Sequence, residues 1–143
     1  MHKRPLSFIF LVLVSMTIAC KKPAKPVPTP TPPPPVVEVE DNISFSLDPD
    51  PGTTTATALS GIYSFKVTLI SKMPSSGISI DITTKTDPAG TLLDSKNVKS
   101  TIAANDITTG TLASGALYSV TVAVTSQKTA SNSLTKTFKV ARK

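Results

Sequence analysis

The sequence predicts an all-β fold for residues 42–143, an antiparallel β-sandwich of seven to eight strands. Apolar and polar residues alternate with a period of two in several segments, and no segment sustains the 3.6-residue period of an amphipathic helix. The same region contains eighteen threonines, and β-branched residues favour strands. Turn residues interrupt the alternation at intervals of about 8 to 12 residues, which is the spacing typical of a sandwich.

Four segments show the clearest alternation. In Tyr63–Leu69 the apolar side chains fall on one face and the polar side chains on the other, as in a strand buried on one side. The other three segments are Ile43–Leu47, Ile78–Ile82 and Tyr118–Val124. We expect weaker strands at Thr91–Asp94, Thr101–Ala103, Ile107–Leu112 and Thr135–Ala141.

Turn-forming residues separate these strands. They occur at Asp48–Gly52, Pro74–Gly77, Asp87–Gly90 and Ser131–Asn132. A domain of this size buries roughly 60% or more of the surface of its unfolded chain, which is enough for one core without disulfides. One position conflicts with the alternation, because Lys136 has the parity of Phe138 and Val140, which should face the core. A bulge or a position at the rim of the sandwich would accommodate it.

A spaced motif precedes the last clear strand. Leu112, Gly115 and Tyr118 stand three residues apart and lead into alternating valines. The motif resembles the corner between strands E and F of fibronectin type III and related immunoglobulin-like domains. The resemblance implies an immunoglobulin-like antiparallel β-sandwich in which the Tyr118 ring packs in the core and its hydroxyl satisfies a backbone group a few residues upstream.

Residues 1–19 have the order of a secretion signal. A basic tip at residues 2–4 precedes fourteen mostly apolar residues, Leu6 to Ala19, whereas a membrane-spanning helix needs about 17 to 25. The segment Thr17–Cys20 resembles a lipobox, the site at which a signal peptidase cuts before a lipid-bearing cysteine. The resemblance, to small lipoproteins of the Bacteroidetes type, implies that Cys20 is lipidated and becomes the first residue. An ordinary secretory signal is the alternative.

Residues 20–41 contain the predicted lipidated cysteine and a proline-rich tether. Proline fixes φ and lacks a backbone donor, so we expect a polyproline II spacer that holds the domain on the order of 50 Å from the membrane. A proline-rich ligand for a partner domain is the alternative. Acidic residues after the cysteine are associated with export of Bacteroidetes lipoproteins to the cell surface, and here residues 21–24 are Lys-Lys-Pro-Ala. We therefore expect an outer-membrane lipoprotein that faces the periplasm rather than the cell surface.

Composition disfavours nucleic-acid binding and most catalytic chemistry. Without residues 1–19 the chain has thirteen Lys and Arg and nine Asp and Glu, a net charge of +4, and no basic cluster, so we expect no nucleic-acid partner. The only histidine is His2 and the only cysteine is Cys20, which excludes Ser-His and Cys-His arrangements and most zinc sites from the mature chain. We therefore expect that the protein is not an enzyme and that it has no cofactor apart from the covalent lipid.

Several acidic residues leave alternatives open. The carboxylates of Asp81, Asp87, Asp94 and Asp106 could form a glycosidase pair, although turn capping explains them more simply. Asp48 and Asp50 could ligate calcium, but calcium takes about six to eight oxygens and a proline-pinned turn is simpler. Stacking of sugars is disfavoured because tryptophan is absent and all five aromatic residues of the domain occupy core positions: Phe45, Tyr63, Phe65, Tyr118 and Phe138.

Together these patterns predict a lipid-anchored, non-catalytic binding or structural module of the cell envelope. We expect it to recognise an envelope protein through sheet edges or loops. The candidate loops are Pro74–Gly77, Asp87–Gly90 and Gln127–Asn132. The alternative is a surface-exposed adhesin or a polysaccharide-binding accessory lipoprotein, and a weak glycosidase is a third possibility.

Overall fold

The computed structural model describes residues 39–143, which form eight strands in two sheets and contain no helix. The strands are β1 (Phe45–Asp48), β2 (Thr55–Ala58), β3 (Ser64–Leu69), β4 (Ile78–Thr86), β5 (Leu92–Ser100), β6 (Ala104–Thr108), β7 (Leu117–Ser126) and β8 (Ser133–Arg142). The predicted all-β sandwich is confirmed at this level. No helix in this range is long and apolar enough to cross a bilayer. The predicted signal peptide, Cys20 and the tether as far as residue 38 lie outside the described residues.

The two sheets divide the strands unequally. Sheet A has the order β1-β3-β6, and sheet B has the order β2-β8-β7-β4-β5. The prediction of purely antiparallel pairing is wrong for one pair, because β2 runs parallel to β8, with Thr55 opposite Lys139 and Ala58 opposite Arg142. The physical reason is a turn rich in proline after Asp48, which ends β1 and lets the chain cross to the edge of sheet B without reversing its direction.

The core lies between the sheets and follows the predicted alternation. Buried and more exposed residues alternate along all of β7, and the inward residues of β3 and β4 are buried in the same way. All five aromatic residues of the domain are buried, as predicted. The rings of Tyr63, Phe65 and Phe138 pack together with centroid distances of 5.4–6.1 Å, so this aromatic cluster joins sheet A to sheet B.

Some predicted elements differ from the structure. Residues 101–103 form a bend between β5 and β6, not a strand, and the strand predicted at Ile107–Leu112 ends at Thr108. The sequence prediction missed β2, because its Thr-Ala-Thr-Ala pattern lacks a large apolar side chain. At Lys136 the pairing of β7 with β8 continues without a bulge. The side chain lies at the rim, where Nζ is 3.7 Å from the Asp50 carboxylate and 5.4 Å from the centre of the Phe45 ring.

The strand register defines two ends of the sandwich. β1 begins beside the end of β3, and β4 begins where β5 and β7 end. The loops 70–77, 101–103 and 127–132 therefore lie at the end where residues 39–44 lead into β1, which we call the entry end. The turns 59–63, 87–91 and 109–116 lie at the opposite, far end, whereas residues 49–54 cross from sheet A to sheet B beside the middle of β8.

The predicted tyrosine motif lies at the far end, between β6 and β7. The Tyr118 ring is buried, and its hydroxyl oxygen accepts a hydrogen bond of 2.8 Å from the backbone N–H of Ala113. Leu112 is fully buried, and its carbonyl accepts a hydrogen bond from the Arg142 guanidinium. Gly115 has a φ of +73°, a backbone conformation that residues other than glycine rarely adopt. Two hydrogen bonds thus hold the corner in place: one joins it to the Tyr118 hydroxyl, and the other joins it to the Arg142 side chain of β8.

Replacement of Tyr118 by phenylalanine tests the hydroxyl of this corner. We expect Tyr118→Phe to lower the free energy of unfolding by about 1–3 kcal/mol, because the Ala113 N–H loses its acceptor. Denaturant unfolding measures this loss. Tyr63→Phe is the matched control, since the Tyr63 ring is also buried but its hydroxyl has no hydrogen-bond partner within residues 39–143. Equal losses in the two variants would contradict the assignment.

Candidate functional site

The four aspartates considered for acid–base chemistry lie apart and have separate partners. The contacts join Asp81 to Asn97 at 2.5 Å, Asp87 to Lys139 at 2.7 Å, Asp94 to Lys96 at 3.5 Å and Asp106 to Lys66 at 3.7 Å. Asp81 lies on the outer face of sheet B and Asp106 on that of sheet A. The structure therefore does not bring these four carboxylates together at one site.

Of the two residues considered for calcium, Asp48 ends β1 and Asp50 lies in the turn that follows. One carboxylate oxygen of Asp50 accepts a hydrogen bond of 2.9 Å from the Gly52 N–H, and the other faces Lys136. Asp48 stands opposite Lys66 in the β1–β3 pairing. Within residues 39–143 there is no group of three or more His, Cys, Asp or Glu side chains that could hold a metal ion. The contacts of Asp50 are those of an aspartate that caps its own turn.

Two of the three candidate loops meet at the entry end. Pro74–Gly77 belongs to the β3–β4 loop and Gln127–Asn132 to the β7–β8 loop, whereas Asp87–Gly90 lies at the far end. Residues 39–42 run between the first two loops and divide the surface there. On one side they line a cavity of about 50 Å³ with residues 72–75, and on the other an open groove with residues of the β7–β8 loop. The cavity is far below the roughly 300–1,000 Å³ of small-molecule pockets.

Three side chains attach the entering chain to the β7–β8 loop, and we call Glu40, Ser126 and Asn132 the entry clamp. The Ser126 hydroxyl donates a hydrogen bond of 2.8 Å to Glu40 Oε2. The Asn132 side chain donates to the Asp41 carbonyl and accepts from the Ile43 N–H, both at 2.8 Å. Because Ile43 is buried in the core, the clamp holds the chain at the point where it enters the sandwich.

Ser126 is the centre of this network. It is 3% exposed, and its oxygen accepts hydrogen bonds of 3.1 Å from the backbone N–H groups of Lys128 and Thr129. One serine hydroxyl thus fixes the shape of the loop and binds the Glu40 carboxylate. The second carboxylate oxygen, Glu40 Oε1, is buried and has no partner with hydrogen-bond geometry in the part of the chain that the structure describes.

The surroundings of Glu40 favour its charged form. Burial acts to raise the pKa of Glu40, but the hydrogen-bonding side chains of Ser126, Thr129 and Asn132 and the charge of Lys128 together lower it below its ordinary value of 4.5. A carboxylate with a lowered pKa stabilises the folded state at pH values above its ordinary pKa, and this contribution is lost as the pH falls through the lowered value. The clamp is therefore intact at neutral pH.

The entry clamp was not predicted from the sequence. Glu40 and Asp41 were expected to belong to the tether, whereas in the structure both bind the β7–β8 loop through partners 86 and 91 residues away. The only local signal is that Asn132 stands in a turn, where asparagine is common for conformational reasons alone. A contact between such distant residues follows from the topology and cannot be inferred from spacing.

Two comparisons with known proteins identified no relative of this chain. No protein-family model matches the chain, and no curated protein shows significant similarity to it. The proposals below therefore depend on the residues and their geometry.

Replacement of Ser126 by alanine tests the clamp. We expect Ser126→Ala to lower the free energy of unfolding at pH 7 by about 1–3 kcal/mol, because two backbone N–H groups and Glu40 lose their partner. We also expect the stability of the variant to fall less than that of the wild type between about pH 5 and pH 3, since Glu40 then lacks one interaction that lowers its pKa. Thermal unfolding across this pH range measures both effects.

Ser131→Ala is the control for that experiment. Ser131 lies in the same loop but is exposed and has no hydrogen bond from its side chain within residues 39–143. An equal effect of the two alanine substitutions would show that the loop, and not the Ser126 hydroxyl, determines the stability.

Proposed function

We propose that this protein is a lipid-anchored, non-catalytic module of the cell envelope that carries one immunoglobulin-like domain and binds an envelope protein. The observation that carries the proposal is the strand order. β1, β3 and β6 correspond to strands A, B and E, and β4, β7 and β8 to strands C, F and G, which are divided between the two sheets of an immunoglobulin-like sandwich in this way. The Tyr118–Ala113 hydrogen bond occurs in the connection that corresponds to the E–F corner.

The contacts of the acidic residues support a non-catalytic function, because structural roles account for most of them. The carboxylates of the five candidates other than Asp48 contact a lysine, an asparagine or a backbone group of their own turn: Asp50, Asp81, Asp87, Asp94 and Asp106. A sandwich of this kind places variable loops at its ends on a rigid scaffold. We propose that the envelope protein contacts the entry-end loops, where the side chains of Ile70 and Ile102 are both more than half exposed beside the β3–β4 loop. Contact with a protein partner would remove the apolar surface of these two side chains from water, which favours association.

The anchor is proposed from the sequence of residues 17–20. Two or three acyl chains, at about 0.8 kcal/mol per buried methylene, anchor a protein stably at a membrane. Lipidation of Cys20 and a periplasm-facing outer-membrane position would bring the domain close to other proteins of the envelope. A protein fixed in this way meets its partner at a high effective concentration, so a small contact surface is sufficient.

Replacement of Cys20 tests the anchor. We expect Cys20→Ser to abolish incorporation of labelled palmitate and to move the protein from the membrane fraction to the soluble fraction of the envelope. Labelling of cells, followed by fractionation and gel analysis, measures both results. Ser15→Ala in the apolar segment is the control and should leave both unchanged. Palmitate labelling that persists in Cys20→Ser would contradict the proposal.

A further inference from the structure

The outer face of sheet B is a regular array of short polar side chains. The register places its outward residues in four rows that cross the strands. The rows are Leu92-Lys85-Ser119-Lys139-Thr55, Ser95-Thr83-Thr121-Thr137, Asn97-Asp81-Ala123-Thr135 and Lys99-Ser79-Thr125-Ser133, and a shorter row, Leu117-Ala141-Thr57, follows at the far end. We call this surface the hydroxyl face. Ten of the seventeen side chains in the four rows carry a hydroxyl group, none is aromatic, and one, Leu92 on the edge strand β5, is a large aliphatic group.

Hydrogen bonds between neighbouring strands order these side chains. Thr121 and Thr137 share a hydrogen bond of 3.1 Å, and Thr125 and Ser133 share one of 2.9 Å. Asn97 donates to the Ser79 hydroxyl at 2.7 Å. A hydroxyl has one donor and two acceptor positions, so each side chain in these pairs can still bind a ligand. The hydroxyl groups of the face are therefore partly fixed before a ligand arrives, which reduces the entropy lost on binding.

The charges of the hydroxyl face have one predominant sign. It carries Lys85, Lys99 and Lys139 and a single acid, Asp81, which accepts a hydrogen bond from Asn97. Lys85 and Lys139 stand on either side of Ser119 in one row. Lys139 also contacts Asp87 in the adjacent turn, whereas Lys85 and Lys99 form no ion pair within residues 39–143.

The outer face of sheet A has the opposite balance. In its central row Lys66 stands between Asp48 and Asp106, so two acids surround one lysine. The two broad faces of the sandwich thus differ in charge, and an anionic ligand would be attracted to sheet B and repelled from sheet A. Substitutions on the outer face of sheet A can therefore serve as controls for substitutions on the hydroxyl face.

We propose that the hydroxyl face binds an acidic polysaccharide. Its hydroxyl and amide groups match the hydrogen-bonding groups of sugars, and its lysines match carboxylate or ester charges along the chain. Within the four rows Leu92 is the one large apolar side chain, and it lies on the edge strand, so the face offers few anchors to a protein partner. Single-stranded nucleic acid would require aromatic residues for stacking. The site is independent of the entry-end loops proposed to contact a protein, and it works by hydrogen bonds and charge instead of aromatic stacking.

Affinity electrophoresis of the purified full chain tests this site. The gels contain polygalacturonate, dextran sulfate or neutral dextran. We expect retardation by polygalacturonate or dextran sulfate and none by dextran, with weaker retardation at high salt because exposed charges are then screened. Retardation by only one of the two acidic polymers would assign the recognised charge to a carboxylate or to an ester.

Two double variants separate the contributions of the face. We expect Lys85→Gln/Lys99→Gln and Thr121→Val/Thr137→Val each to weaken the apparent affinity at least about tenfold, which corresponds to about 1.4 kcal/mol. Valine keeps the shape and the strand preference of threonine, and thermal unfolding verifies that the variants are folded. The control on sheet A is Lys66→Gln/Thr68→Val, which should bind as the wild type does.

Three results would overturn the proposal. The first is that neither acidic polymer retards the wild type. The second is that the sheet A control loses as much affinity as the sheet B variants. The third is full affinity in Thr121→Val/Thr137→Val, which would show that the lysines bind the polymer by charge alone. None of these results depends on Cys20 or on the entry-end loops, so failure here is distinguishable from failure of the anchor or of the proposed protein partner.

Discussion

The packing of one face of sheet A against one face of sheet B is the interaction on which the rest of the structure depends. The only cysteine of the chain precedes the domain, so no disulfide can support the sandwich. β7 lies between β8 and β4, and its inward valines at positions 120, 122 and 124 are fully buried. Burial of each such side chain contributes about 1.5–3 kcal/mol. The corner at Tyr118 and the entry clamp close the two ends of this core.

The same constraint explains why function is proposed for the outside of the sheets and for the loops. Alternation commits one side of every strand to the core, and the other side is free to vary as long as it stays polar. In sheet B this freedom produces rows of Ser and Thr with lysines among them, and in sheet A it produces a lysine between two aspartates. Burial of the core does not depend on either arrangement, since the inward residues supply it, and the outward threonines add their preference for the strand conformation.

Much of the fold could be predicted from the sequence because its main signal is local. The period of two identified the buried strands and the aromatic core, and the Leu112-Gly115-Tyr118 spacing identified a corner whose hydrogen bond is present in the structure. β2 was missed because four residues of Thr and Ala give no amphipathic signal. Its parallel pairing with β8 could not be predicted either, since the partner lies more than 80 residues further along the chain.

The candidate sites were predictable only in part for the same reason. Loops can be recognised by their turn residues, but the sequence does not show that two of them meet at the entry end. Glu40 resembles any residue of a polar tether until Ser126 is placed beside it. The position of Lys136 was identified as a conflict, and the structure resolves it at the rim, where one lysine can cover an aromatic ring and contact an aspartate.

The central proposal is that the sandwich is held by a lipid anchor inside the envelope, on the periplasmic side of the outer membrane. Protease treatment of intact cells, with a known periplasmic protein as the control, tests this proposal most directly. The account predicts that the domain and the control both survive in intact cells and that the tether is cut only after the outer membrane has been permeabilised. Cleavage in intact cells in which the control survives would contradict it and would place the domain on the cell surface.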